Sequence, residues 1–340
     1  MKIQTHKAAL IFASVLLLSA GFTQAFAGEA LVGSTDLYVI DDVDFEVAAT
    51  VPLGKWIYNI TVSDDGRHAY LGASNGLNVY NISERKFEGL LTDKPAFVVK
   101  KDAAGNMLYV LTNEREMLTD GTAEAKPSKI MVHNSRDAGL VRSIELDRLV
   151  FDIMIIPEND RLYCLDIIYS ELEVRQLTSG ALIERIYLGN YGYVNKDDNQ
   201  GFLWRMIRSK NGERIYIPQG GNEAGLLVVE TSSNSVRRIA LEHEAKWRAG
   251  LLSPNGKKLY LNAVRRLAVI DLAKEVETAW KPLDGPYQGM AIDRSGKKLY
   301  MTNPIYETGG SVVILDAGTL EPLGRVVLPD ASPFSIAVSR

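Results

Sequence analysis

Four histidines and a single cysteine are the only imidazoles and thiol in this 340-residue chain. His6 lies in the basic N-terminal segment between Lys2 and Lys7. His68, His133 and His243 stand at unrelated places, with no H-x-x-x-H or Cys-His spacing that would hold zinc or haem. No C-x-x-C-H, G-x-S-x-G or P-loop occurs. Asp197-Asp198 offers two carboxylates, but in its setting reads as a solvated acidic loop rather than a calcium site. Cys164 sits in the apolar run Leu162-Tyr163-Cys164-Leu165 and reads as an inert core thiol. No residue set here would turn over a substrate unaided.

What the sequence offers instead is material for binding. An aromatic residue recurs eight to ten positions before a turn glycine: Trp56 with Tyr58, Phe97, Trp204, Trp247 and Tyr287, with Phe151 and Phe334 at matching places. Polar groups interleave them, among them Lys55, Asn59, Asp152, Arg205, Arg248 and Gln288. Two readings compete. Such aromatics can wedge between packed sheets, since they carry large buried areas, or they can form a partly apolar rim with a few polar groups, the usual make-up of a ligand or partner site. The candidate rim comprises Trp56, Tyr58, Asp152, Trp204, Arg205, Trp247, Arg248, Tyr287 and Gln288, with some members wedged and others open. Arg205 and Arg248 each follow a Trp and can present a guanidinium to a carboxylate or pair with Asp152 or Glu244.

The elements that must position these residues are repeats. Ile60 to Gly66 to Tyr70 shows an apolar alternation, a glycine turn and a Tyr in a second alternating run. The unit recurs as Val98 to Gly105 to Tyr109, Met206 to Gly212 to Tyr216, Leu251 to Gly256 to Tyr260 and Met290 to Gly296 to Tyr300. A degenerate copy runs from Ile153 to Tyr163, with Asn159 at the glycine spacing. A third run follows each Tyr and often ends in an acid or amide, as at Asn81, Glu230, Asp271 and Asp316; a fourth follows a short turn. Four short strands per unit with period-two patterning describe a propeller blade.

Six complete units begin near Trp56, Pro95, Val150, Phe202, Ala245 and Pro286. The leftovers are Leu31 to Leu53, enough for strands two to four, and Pro333 to Val338, enough for a first strand. The expected fold is therefore all-β: a seven-bladed β-propeller with four-stranded blades, its ring closed by N- and C-terminal strands in one shared blade. Closure of this kind removes the open sheet edge that invites aggregation. Residues 28–340 form one domain. Two polar insertions, between Asn113 and Lys129 and between Gly189 and Phe202, break the period. Both belong to connections that emerge on the face where the aromatics sit.

Residues 1–27 read as a secretory signal peptide, with Lys2 and Lys7, an apolar stretch from Ala8 to Ala20 and an Ala25-Phe26-Ala27 cleavage site. Its removal takes the formal charge from −4 to −6. An acidic exported chain is a poor nucleic-acid binder, and no later apolar run is long enough to span a membrane.

Tyr109-Val110-Leu111-Thr112-Asn113 and Tyr300-Met301-Thr302-Asn303 resemble the repeat of the bacterial exported seven-bladed propellers named for Tyr-Val-Thr-Asn. Within that group the chain resembles the propeller (beta) subunit of quinohemoprotein amine dehydrogenase. The resemblance is carried by the split closing blade, the insertion ending at Lys126-Pro127-Ser128-Lys129, and the segment Leu315-Asp316-Ala317-Gly318-Thr319-Leu320-Glu321 followed by Gly324-Arg325-Val326-Val327-Leu328-Pro329. It implies a periplasmic chain without a cofactor of its own. Its partners would be a dihaem cytochrome c subunit, carrying haem c, and a small quinone-bearing subunit with a cysteine-derived tryptophylquinone, together oxidising primary amines. The competing expectation is a stand-alone periplasmic propeller that binds a ligand or protein without catalysis. A propeller hydrolase such as a lactonase is disfavoured, because no acid-base or metal constellation assembles.

Overall fold

The computed structural model describes residues 28–102, 104–117, 123–189, 205–219, 225–243, 247–263, 265–306 and 309–339. The expected signal segment, residues 118–122 of the first insertion, and residues 190–204, with Trp204 among them, lie outside the described residues. The described strands form seven four-stranded antiparallel sheets and one two-stranded hairpin. The innermost strands are Ile57–Val62, Ala96–Lys101, Asp152–Ile156, Ile207–Arg208, Trp247–Leu252, Met290–Ile292 and Ser335–Val338. Neighbouring inner strands contact one another at the other seams of the ring, and the third and fourth blades are tied by the Met206 N–H, which donates to Asp152 Oδ2 at 2.6 Å. The seventh blade pairs Ser335–Val338 with Glu29–Gly33, then Leu37–Asp41 and Val47–Val51. The fold is a seven-bladed β-propeller closed by strands from both ends of the sequence.

The turns show why the repeat carries its marker residues. Gly66, Gly105, Gly212, Gly256 and Gly296 all hold φ between 68° and 75°, a left-handed conformation that costs glycine nothing. In the third blade a 3-10 turn over Pro157–Asn159 moves the left-handed residue one place on, to Asp160 at φ 55°. Asn159, the residue at the glycine spacing, instead sends its side-chain amide to Thr231 O at 2.8 Å. Asp residues that end third strands cap the next turn: Asp316 Oδ1 accepts from the Gly318 and Thr319 amides, and Asp271 and Asp41 do the same for their turns, whereas Glu230 pairs with Arg214 and Arg237 instead. These Asx turns satisfy backbone donors that the strand ladder leaves free.

The core lies in the seams between blades rather than at a single centre. One cluster joins Tyr109, Leu111 and Ile130 of the second blade to Ile153, Leu162 and Cys164 of the third; another joins Tyr216 and Val228 of the fourth to Leu259 and Ile270 of the fifth. Two-sided burial explains why middle-strand segments such as Leu108–Leu111 and Leu226–Val229 are apolar throughout rather than alternating. Each repeated Tyr points across a seam. Tyr70 donates to Ser135 O at 2.9 Å, Tyr163 to Asn234 Oδ1 at 2.7 Å, and Tyr260 to Ala317 O at 2.9 Å. In each case the acceptor lies in the outer turn of the following blade. At the seam between the sixth and seventh blades, Lys298 Nζ takes the equivalent carbonyl, Asp42 O, and the fully buried Tyr300 hydroxyl has no partner. Where the seventh blade meets the first, Leu31 replaces the Tyr and packs in a cluster with Ile82.

Candidate binding face and axial channel

The end of the ring that carries the turns between second and third strands can be traced residue by residue. Trp56, which enters the first blade's inner strand, accepts the Ser74 amide at its carbonyl at 2.9 Å, and Ser74 belongs to such a turn. The second blade's turn is the polar insertion, whose Arg115–Met117 and Ala123–Ala125 pair as an antiparallel hairpin. Both therefore share one face.

This face carries large exposed apolar groups. Trp56 is 43% exposed, Ile168 51% and Tyr169 58% in the third blade's turn, and Ile305 71% near the end of the sixth blade's second strand, Lys298–Tyr306. Tyr187 is exposed at the end of the third blade's outer strand, paired with Glu171 beside the same turn. Arg148 lies over the Tyr169 ring at 4.4 Å and pairs with Glu171, so Tyr169 is held in place rather than loose. Most other exposed large hydrophobics lie on outer strands, such as Leu140, Val141, Leu182 and Ile183, and Val43 lies on the opposite end. Ile168, Tyr169 and Ile305 were not apparent as candidates from the repeats. For Ile168 and Tyr169 the signal was available all the same: bulky apolar residues in a turn that ordinarily takes Gly, Asn or Asp.

The predicted rim residues divide. Trp56 is open to solvent. Tyr58 stacks on Phe97 with ring centroids 4.8 Å apart, a wedge between the first and second blades. Tyr287 is only 1% exposed, so it departs from the expected rim position; its hydroxyl donates to Asp284 Oδ1 at 2.6 Å and lies 3.1 Å from Arg325 Nη2. Burial, helped by the Asp284 hydrogen bond, pushes this phenol well above its ordinary value. Gln288 is half-buried and its amide donates to Thr302 O at 2.8 Å. Trp247 opens the fifth blade's inner strand and Arg248 follows it; their side chains, like all of Trp204, lie outside the described residues.

Asp152 and Arg205 come together, and with them a residue not singled out in the sequence, Lys100. Asp152, at the start of the third blade's inner strand, is fully buried and lies between Lys100 of the second blade and Arg205 of the fourth. Its Oδ1 lies 3.7 Å from Lys100 Nζ and 3.6 Å from Arg205 Nη1. Burial lowers the pKa of the Lys100 ammonium; Asp152 opposes that shift and Arg205 adds to it. Cys164 is fully buried, and burial pushes its thiol far above its ordinary value, which leaves it without thiolate reactivity. Among the described residues no three His, Cys, Asp or Glu side chains converge as a metal site would require, and no helix is long and apolar enough to cross a membrane.

No protein-family model and no curated protein matches the sequence. Solved structures do match the fold. Hydrazine synthase from Kuenenia stuttgartiensis aligns with a TM-score of 0.59 at 16% identity, over 84% of this chain and 95% of that one. Apo AztD from Citrobacter koseri gives 0.60 at 15% identity, over 92% and 98%. A protein of unknown function from Desulfotomaculum acetoxidans gives 0.72 at 10% identity, over 92% and 99%. At these identities the likeness shows a shared propeller fold.

Proposed function

We propose that this chain is the propeller subunit of an exported, periplasmic amine dehydrogenase complex of the quinohemoprotein kind. In this reading it holds no redox group. It seats a dihaem cytochrome c subunit and a small subunit bearing the cysteine-derived quinone, and those partners carry out the oxidation of primary amines. The observation that supports a docking role is the placement of Trp56, Ile168, Tyr169 and Ile305 on the end of the ring that also bears the second blade's polar hairpin. Aromatic anchors rimmed by polar groups are the usual centre of a protein interface. The resemblance in the Lys126-Pro127-Ser128-Lys129 insertion and the Leu315 to Pro329 segment supplies the kind of partner. Purification from the native host tests it: the protein should emerge with a haem-bearing chain, and a haem-free monomer would end this reading.

A second reading is a stand-alone propeller that binds a ligand without catalysis. The Lys100, Asp152 and Arg205 cluster favours it, because its two cations outnumber the carboxylate and keep part of their side chains exposed. A pull-down that finds a ligand or protein without amine-dependent electron transfer would select this reading over the first.

A further inference from the structure

Two cations share one carboxylate beside the inner strands. Asp152 Oδ2 is satisfied by the Met206 amide at 2.6 Å, whereas Oδ1 makes no hydrogen bond. Arg205 Nη1 is buried and also lacks a hydrogen-bond partner. The separations of 3.6 and 3.7 Å from Asp152 Oδ1 are too long for direct hydrogen bonds. A structural ion pair would close to about 2.8 Å, as Arg175 does with Glu173 at 2.8 Å elsewhere in this ring. Here the donors stop short, and the side chains of Lys100 and Arg205 remain 26% and 19% exposed. Buried donors are rarely left unmet, and two cations against one carboxylate leave the cluster one negative charge short of balance.

We infer that Lys100 and Arg205 form a binding site for a small oxyanion, a carboxylate or an inorganic acid anion, beside the inner strands of the ring, with Asp152 as the shared carboxylate that keeps the two cations together. The anion supplies the missing negative charge and accepts from the Arg205 Nη1 donor and the Lys100 ammonium. Asp152 opposes the anion electrostatically, so the site is tuned for weak, reversible occupancy. This inference stands apart from the docking reading, since it concerns the isolated chain and needs no partner.

The probes are sodium acetate and inorganic phosphate, titrated calorimetrically into the purified protein at constant ionic strength maintained with chloride. Wild-type protein should bind at least one of them, and Lys100→Met and Arg205→Met should each weaken that binding tenfold or more. Asp152→Asn, which keeps the Met206 acceptor and removes the competing charge, should tighten it by a similar factor. A merely structural cluster would not gain affinity on losing its carboxylate. Should a methionine variant fail to fold, the gain in Asp152→Asn still decides the matter. The inference is overturned if neither anion binds wild type or Asp152→Asn above the chloride control, or if binding is unchanged in the folded Lys100 and Arg205 variants.

Discussion

The Tyr163 hydroxyl of the third blade donates to Asn234 Oδ1 in the outer turn of the fourth at 2.7 Å, while the Tyr300 hydroxyl at the equivalent place in the sixth blade meets no acceptor. The same residue type at the same repeat position therefore makes opposite contributions. A made hydrogen bond is worth about 1 kcal/mol net, and a buried unmet hydroxyl costs energy. Tyr163→Phe should lower stability by about 1 kcal/mol and Tyr300→Phe should leave it unchanged or raise it. Urea denaturation of the two variants compares them directly, and equal losses would contradict the assignment.

Ring closure gives a second prediction. A Cβ at Gly33 would fall 2.4 Å from Ser335 Oγ and 2.7 Å from Ile57 Cγ2, where the split blade meets the first. Gly33→Ala should cost about 1–3 kcal/mol through overpacking, whereas Gly89→Ala, with nothing near its Cβ, should cost far less. Thermal melts of both variants measure the difference.

Acid should loosen the outer turns. Asp316 is held below its ordinary value of 3.8 by hydrogen bonds from the Thr319 and Gly318 amides, and Asp271 and Asp41 are lowered in the same way. A carboxylate with a lowered folded pKa contributes stability that is complete above its unfolded value and is lost as pH falls through the folded one. The melting temperature should therefore decline below about pH 4. Asp316→Asn keeps the cap and removes the titration, so its melting temperature should fall less steeply over that range.

Docking through the apolar end of the ring makes Trp56 a test residue. Trp56→Ala should leave the melting temperature within a degree or two, because the side chain is 43% exposed. It should weaken capture of the haem-bearing partner about tenfold or more. Leu182→Ala on the outer strand of the third blade, also exposed, should leave capture intact. Equal capture by wild type and the Trp56 variant would remove this residue from the interface.

Much of the ring was legible in the sequence because its determinants are local. The turn glycines are forced by backbone conformation, and an Asp or Asn at the end of a third strand, as at Asp41, Asn81, Asp271 and Asp316, reports an Asx turn only two or three residues away. The third blade shows where this stops: Pro157 starts a 3-10 turn and moves the left-handed residue from position 159 to Asp160. Tyr287 was legible as an aromatic in a repeating place but not as a buried one, because its cover comes from Arg325, 38 residues later on the outer strand of the same blade. Lys100 escaped notice for the same reason: only the assembled ring brings the second blade's lysine to a carboxylate of the third and a guanidinium of the fourth.

The seventh blade also sets the order in which the molecule can be finished. Glu29–Gly33 emerges first during synthesis, yet its inner neighbour Ser335–Val338 follows about 300 residues later. Until then the opening strands have an unpaired flank, and contacts between such distant segments form slowly. The first blade begun is the last one completed, so a stalled or nicked chain leaves the ring unlatched at its own starting point.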